Sequence, residues 1–125
     1  IALAKATGAA LHIVHTVDLT TTWGEGSSVV IDALTEAGRA AVDDAVERAT
    51  DADLRSVEAS VLRGTPVRAI LDYADERAID LTVMGTHGRG GIDRLLLGSV
   101  AERVVRTSSV PVLTVRVERV DVDDD

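Results

Sequence analysis

Apolar positions along this chain follow two spacings, and the change from one to the other predicts alternating strands and helices. Leu11–Val17 is rich in β-branched and apolar side chains and lies between turn-forming residues, as a strand does. From Val29 to about Thr50 the apolar residues recur at the period of a helix. The positions predicted to face inward in that helix are Val30, Leu34, Ala37, Ala41, Val42, Ala45 and Ala49.

The rest of the chain continues the alternation. A short helix at Ile1–Thr7 is closed by Gly8 as its C-cap. Thr65 and Pro66 open a later helix as N-cap and first helical residue, and this helix runs to about Arg77. Its predicted inward residues are Ile70, Leu71 and Ala74. The remaining predicted elements are strands at Ser56–Leu62, Asp80–Met84 and Val110–Val117, and a helix at Ser99–Arg106.

Strands that alternate with helices of this length indicate an α/β fold with a mostly parallel sheet and right-handed crossovers. We find no internal repeat and no second domain. The chain begins inside a helical pattern with no strand before it, whereas a doubly wound sheet normally begins with a strand. We therefore expect that a leading strand is missing from this sequence. The alternative is a natural four-stranded variant of the fold.

Composition narrows the classes of function. The 125 residues include 13 basic and 21 acidic side chains, for a net charge of −8, and no cysteine. Without cysteine, disulfide, thiolate-metal and cysteine-nucleophile chemistry are excluded. The acidic balance argues against general binding to nucleic acid or to an anionic membrane. The longest apolar run, Ile1–Ala4, is far too short to span a bilayer, so we expect a soluble cytoplasmic protein.

The charged residues are themselves unusual. Lys5 is the only lysine, and aspartate outnumbers glutamate by 14 to 7. One interpretation is a halophile-like surface that stays soluble in high salt. The other is an ordinary acidic protein with a solvated tail.

Candidate chemistry concentrates in the glycine-rich stretch between the third strand and the following helix, Gly85–Ser99. Glycine lets backbone amides approach a ligand, and a helix start favours phosphate. Ser99 stands three residues before Glu102, the spacing of a capping box, and Arg89 with Arg94 could add positive charge. The alternative is a purely structural turn with Ser99 as its cap. Neither a Walker A loop nor a complete dinucleotide fingerprint is present.

The spacing of this stretch resembles a known family. Gly85-x2-Gly88-x9-Gly98-Ser99 is similar to the G-2x-G-9x-G-S/T signature of the ATP-binding universal stress proteins, and the resemblance covers residues 1–117. It implies a single-domain, Rossmann-like sheet of the adenine nucleotide alpha hydrolase type, in strand order 3-2-1-4-5, before an acidic tail at 118–125. It further implies ATP, with Mg or Mn held by the phosphates. The implied cofactor-binding residues are Thr16, Met84, Gly85, Gly88, Arg89, Gly98, Ser99 and Val100.

Within that set the resemblance gives each group a role. The amides of the glycines, Ser99 and Val100, together with the Ser99 hydroxyl, would hold phosphates and ribose. Thr16 and Met84, at their strand ends, would border the adenine. The last strand, Val112–Val117, would pair across a homodimer, as it does in family members. Independently of the resemblance, its alternating apolar residues at a sheet edge favour pairing with a symmetric partner. The charged residues Arg116 and Glu118 could instead protect the exposed edge of a monomer.

Other polar residues have simpler interpretations. His12 and His15 face opposite sides of a strand and cannot chelate one metal, so we predict partly buried histidines. His87 and Trp23 are loop residues that either touch a ligand or face solvent. The paired aspartates at 43–44 and 51/53 are predicted to be surface carboxylates.

The sequence thus predicts an ATP-binding stress-response regulatory protein with little or no turnover. We see no placed general base and no lysine near the glycine stretch. The alternative is a dimeric scaffold of the same fold that binds no nucleotide. A flavodoxin-like electron carrier is disfavoured, because only Trp23 and Tyr73 could stack on a flavin.

Overall fold

The computed structural model describes residues 1–19, 27–86 and 97–116. In this part of the chain helices and strands alternate as the sequence predicts, and every strand pairing is parallel. The elements in order are α1 (Ala2–Thr7), β1 (Leu11–Asp18), α2 (Ser27–Asp51), β2 (Val57–Gly64), α3 (Pro66–Glu76), β3 (Thr82–Gly85), α4 (Ser99–Thr107) and β4 (Val112–Val115). The chain divides into two compact units, Ile1–Ile70 and Leu71–Asp125, and the boundary between them lies within α3.

The first unit is built on the parallel pair β1–β2. The two strands run in register from Leu11 beside Val57 to Asp18 beside Gly64, and α2 packs against both of them. The predicted C-cap of α1 is confirmed: Gly8 has a left-handed backbone with φ 71°, and its amide bonds to the carbonyl of Ala4.

The inward face of α2 agrees with the sequence prediction only in part. Val30 and Leu34 are exposed by 48% and 41%, and Ala37 and Ala41 are also exposed. Val42 and Ala49 are buried and Ala45 is half-buried, as predicted, but Thr35 and Gly38 are buried as well. The prediction is therefore confirmed from Val42 onwards and wrong before it, because periodicity alone does not say which residues of a helix meet the sheet. The Thr35 hydroxyl is satisfied inside the helix by donating to the carbonyl of Ile31 at 2.7 Å.

Gly38 explains the choice of face. A Cβ placed on Gly38 would lie 2.5 Å from Cδ2 and 3.1 Å from Nε2 of His15, so the imidazole of β1 occupies the space that a side chain would need. His12, in contrast, lies beside Glu58 on the neighbouring strand, with Nε2 3.6 Å from Oε2. The two histidines have separate surroundings and are both partly buried, as predicted.

The second unit contains the parallel pair β3–β4 and helix α4. The amide of Thr82 donates to the carbonyl of Pro111 at 3.0 Å, so Pro111 contributes its carbonyl just before β4 begins. α4 packs against β4 and buries Ala101 and Val104, which are 3% and 0% exposed. The opposite face of this pair carries exposed apolar side chains at Val83, Leu113 and Val115.

Helix α3 begins at Pro66, as predicted, and the amide of Ala69 bonds to the carbonyl of Thr65 at 2.9 Å. Val67 of this helix is buried, whereas the three predicted inward residues, Ile70, Leu71 and Ala74, are half-buried. None of the helices described is long and apolar enough to cross a membrane.

Candidate nucleotide-binding site

The glycine-rich stretch is anchored at both ends by backbone hydrogen bonds. β3 ends at Gly85, and the next residue, Thr86, donates its amide to the carbonyl of Val115 at 3.0 Å. The carbonyl of Thr86 accepts a hydrogen bond from the amide of Gly98 at 2.5 Å, so the residue after β3 is tied to the residue just before α4. The predicted residues Gly88 and Arg89 lie outside the described residues, as do His87 and Arg94.

The amino end of α4 offers backbone donors. Gly98 is the N-cap, with φ −62° and ψ 159°, and it brings no side chain to cap the helix. The first helical hydrogen bond runs from the amide of Glu102 to the carbonyl of Gly98 at 2.9 Å. The preceding amides, those of Ser99, Val100 and Ala101, therefore have no acceptor within the helix. Such a group of amides, with the helix dipole, favours an anion.

The capping-box interpretation is wrong. Ser99 is the first helical residue and not the cap, because the chain turns one residue earlier at Gly98. Glu102 does not reach back to the helix start; its carboxylate pairs with Arg106 one turn further on. In the described part of the chain, the exposed Ser99 hydroxyl has no hydrogen bond. The start of α4 is thus left uncapped by side chains.

One part of the predicted cradle is also corrected. The amide of Gly98 is already donated to Thr86, so this amide is not available to a phosphate. Gly98 is the N-cap and has no side chain that would compete with an anion for the next three amides. The amides of Thr82 and Thr86 bond to β4, and donors alternate along a strand, so the amide of Gly85 points away from β4.

The two residues predicted to border the adenine lie near the carboxyl ends of their strands. Thr16 is two residues before the end of β1, beside Leu62, and it is half-buried. Met84 is the penultimate residue of β3, beside Thr114, and it is also half-buried. Ligands of open α/β folds bind at the carboxyl ends of the strands, and both residues lie near such an end. Each is described within its own compact unit.

The remaining acidic candidates are surface groups. Asp43, Asp44, Asp51 and Asp53 are exposed, and Asp44 pairs with Arg48 on the same helix at 3.0 Å. Trp23 lies outside the described residues. Within residues 1–19, 27–86 and 97–116, no three His, Asp or Glu side chains gather as the ligands of a metal would.

Sequence reasoning missed Thr86. Its amide and its carbonyl tie the glycine stretch to β4 and to Gly98, respectively. Both interactions use only the backbone, so no residue type signals them. The single hint is its place between the end of a strand and the first loop residues.

The matched signature, the parallel strand pairs and the uncapped start of α4 agree with a comparison against known families. The universal stress protein family matches this chain over residues 1–116. The chain belongs to the universal stress protein family. The predicted α/β fold is therefore confirmed, and three residues of the signature lie at the end of β3 and the start of α4, where the resemblance places them: Gly85, Gly98 and Ser99.

Relatives of this universal stress protein span archaea and bacteria. Universal stress protein MJ0531 of Methanocaldococcus jannaschii is 35% identical over 118 residues, which cover 91% of this chain and 69% of that sequence. Universal stress protein Rv1636 of Mycobacterium tuberculosis is 44% identical over 72 residues. Over several relatives, including this one, the match spans about half of their length or less.

Solved structures give the same answer for the fold. The structure of protein MJ0577 superposes with a TM-score of 0.79 at 25% identity, covering 94% of this chain and 85% of that one. A universal stress protein solved in complex with cAMP superposes with a TM-score of 0.62 at 30% identity, covering 92% of this chain and 79% of that one.

Proposed function

We propose that this universal stress protein binds ATP at the amino end of α4 and acts in regulation rather than in catalysis. The observation that carries the proposal is the uncapped helix start, where Gly98 ends the glycine stretch and the next three amides lack helical acceptors. The glycine spacing of the family signature supports it. A universal stress protein that superposes on this chain was solved in complex with cAMP, and this supports a nucleotide as the ligand.

Backbone donors suit a protein of this charge. A surface with net charge −8 repels a free polyanion, so binding must rest on short-range, oriented groups. Amides at a helix start supply these without a side-chain cation. The Ser99 hydroxyl would add a donor, and Gly88 and Arg89 would extend the cradle. A divalent cation, Mg or Mn, would be held by the phosphates and would neutralise part of their charge.

Slow turnover is part of the proposal. Phosphoryl transfer relies on a cation that stabilises the moving phosphoryl group, and lysine often serves. The only lysine of this chain, Lys5, lies on α1 before the amino end of β1, whereas Thr16 lies near the carboxyl end of that strand. Neither the glycine-rich stretch nor α4 contains a lysine that would stabilise a transferring phosphoryl group.

The direct test uses the whole chain. Nucleotide released from the purified, denatured protein is identified by mass spectrometry, and nucleotide-free protein is titrated calorimetrically with Mg-ATP. We expect released ATP or a saturable one-to-one titration, with weaker binding of Mg-GTP. Folded protein that releases no nucleotide and gives no heat with ATP contradicts the proposal and favours the dimeric scaffold. Saturation by cAMP alone changes the nucleotide assigned to the site.

We also propose a homodimer through the last strand, predicted at Val112–Val117 and observed as β4, with residue 117 outside the described range. The carbonyls of Pro111 and Val115 face β3, so the amide of Thr114 faces the other edge. Proline at this position removes that amide without removing a bond to β3. We expect Thr114→Pro to convert a dimer into a monomer in sedimentation equilibrium.

Thr114→Val is the matched control, because it removes the hydroxyl and keeps the amide. It should remain dimeric. A wild-type chain that sediments as a monomer, or a folded Thr114→Pro variant that remains a dimer, places the contact elsewhere or removes it. Circular dichroism checks that both variants keep their secondary structure.

A further inference from the structure

A small cleft of about 140 Å³ opens in the first compact unit, where α1 ends and where the connection from α2 enters β2. It lies before the amino ends of β1 and β2. The predicted adenine contact in this unit, Thr16, is near the carboxyl end of β1, so the cleft is a separate site. None of the residues that line it is among those predicted to bind the nucleotide.

Three charged residues line this cleft. Lys5 comes from the last turn of α1, and Asp53 and Arg55 come from the connection before β2. In the described part of the chain, none of the three forms an ion pair. Two basic residues and one acidic residue, all three exposed, therefore line one small space without pairing with each other.

The backbone at Asp53 is also unusual. Its φ of 63° lies in the left-handed region, which most side chains avoid and which aspartate and asparagine tolerate best. This conformation belongs to the turn that ends α2, where the amide of Asp53 bonds to the carbonyl of Thr50 at 3.0 Å. The turn therefore fixes the backbone of Asp53, which is one of the residues that line the cleft.

The rest of the lining is mostly small and apolar. Ala4 is 8% exposed, Leu54 is half-buried, and Ala9 borders the opening. A cavity of about 150 Å³ holds benzene, so this volume takes about six non-hydrogen atoms. Alanine has that size, and its methyl group suits such a lining.

We propose that this cleft binds a small zwitterion that carries one carboxylate and one ammonium group, the size of a small α-amino acid. The carboxylate would meet Lys5 and Arg55 in charge-assisted hydrogen bonds, and the ammonium would meet Asp53. A simple anion would meet Asp53 as a like charge, and a simple cation would meet Lys5 and Arg55. Only a ligand with both charges satisfies the whole lining.

The probe is L-alanine, added to the full chain labelled with ¹⁵N. We expect saturable amide shifts centred on residues 5–9 and 53–56, with affinity in the millimolar range because the ligand is so small. Acetate and methylammonium, which each carry half of the charge pattern, should bind at least about tenfold more weakly, as expected when a hydrogen bond to a charged group is lost.

Three variants complete the test. Arg55→Gln and Asp53→Asn should each weaken alanine binding about tenfold or more, and asparagine preserves the left-handed backbone. Arg63→Gln removes the same charge at an exposed position of β2 and should leave the affinity for alanine unchanged. The proposal is overturned by the absence of saturable shifts, by equal shifts with acetate, or by an equal loss in Arg63→Gln. None of these outcomes depends on whether ATP binds.

Discussion

Replacing Gly98 with aspartate should abolish ATP binding while leaving the protein as stable as before or slightly more stable. Gly98 has φ −62° and ψ 159°, a backbone that any residue adopts and that N-cap residues prefer. An aspartate side chain there would accept the amides that begin α4 and place a negative charge where the phosphates would lie. A like charge at about 4 Å costs about 4 kcal/mol near a protein surface, so we expect at least about a hundredfold loss of affinity.

The stability change should have the opposite sign. Aspartate is a better N-cap than glycine by a few tenths of a kcal/mol, and it also complements the helix dipole. Calorimetry with Mg-ATP and urea unfolding measure the two effects separately. This combination discriminates between a nucleotide-binding protein and a scaffold in which Gly98 serves only the turn.

The matched control is Gly98→Asn, which caps the helix without a charge. We expect this variant to bind ATP about tenfold more weakly, because the asparagine side chain competes with the phosphate for one backbone amide. The hydrogen bond that is lost is one to a charged group. Equal affinities for ATP in the wild type, Gly98→Asn and Gly98→Asp would mean that the nucleotide does not use the start of α4. A large loss of stability in both variants would mean that the Gly98 backbone has a tighter role than its dihedral angles indicate.

Replacing Gly38 with alanine should destabilise the protein, although alanine favours helix by about 1 kcal/mol over glycine. The new Cβ would lie 2.5 Å from Cδ2 of His15, a distance that requires the imidazole or the helix to move. Overpacking of this kind costs about 1–3 kcal/mol. We expect a net decrease in the free energy of unfolding, measured by urea denaturation.

The sign should reverse when His15 is removed. In a His15→Ala background, Gly38→Ala should stabilise the protein by up to about 1 kcal/mol, since only the helix propensity remains. Ala37→Gly, at the exposed neighbouring position, measures that propensity alone and should cost about the same amount. A destabilisation by Gly38→Ala that is equal in both backgrounds would show that His15 is not the group it meets.

The sequence alone determined the order of the elements and the parallel α/β class, because these depend on local signals. Gly8 ends α1 and Pro66 begins α3 where their conformational preferences place them. The glycine spacing that leads to Ser99 needed no structure to be seen, since a fixed spacing between a strand and a helix is a property of the chain itself.

The tertiary structure decided what depends on partners distant in the sequence. It turned the Gly38 face of α2 inward, because His15 of β1 fills the space beside that glycine. It pairs the amide of Gly98 with the carbonyl of Thr86, and it places the cap of α4 at Gly98 and not at Ser99. It brought Lys5 to the cleft that Asp53 also lines. Periodicity predicted that Val42 and Ala49 are buried but not that Thr35 and Gly38 are, and a hydrogen-bond partner is chosen only when two distant backbones meet.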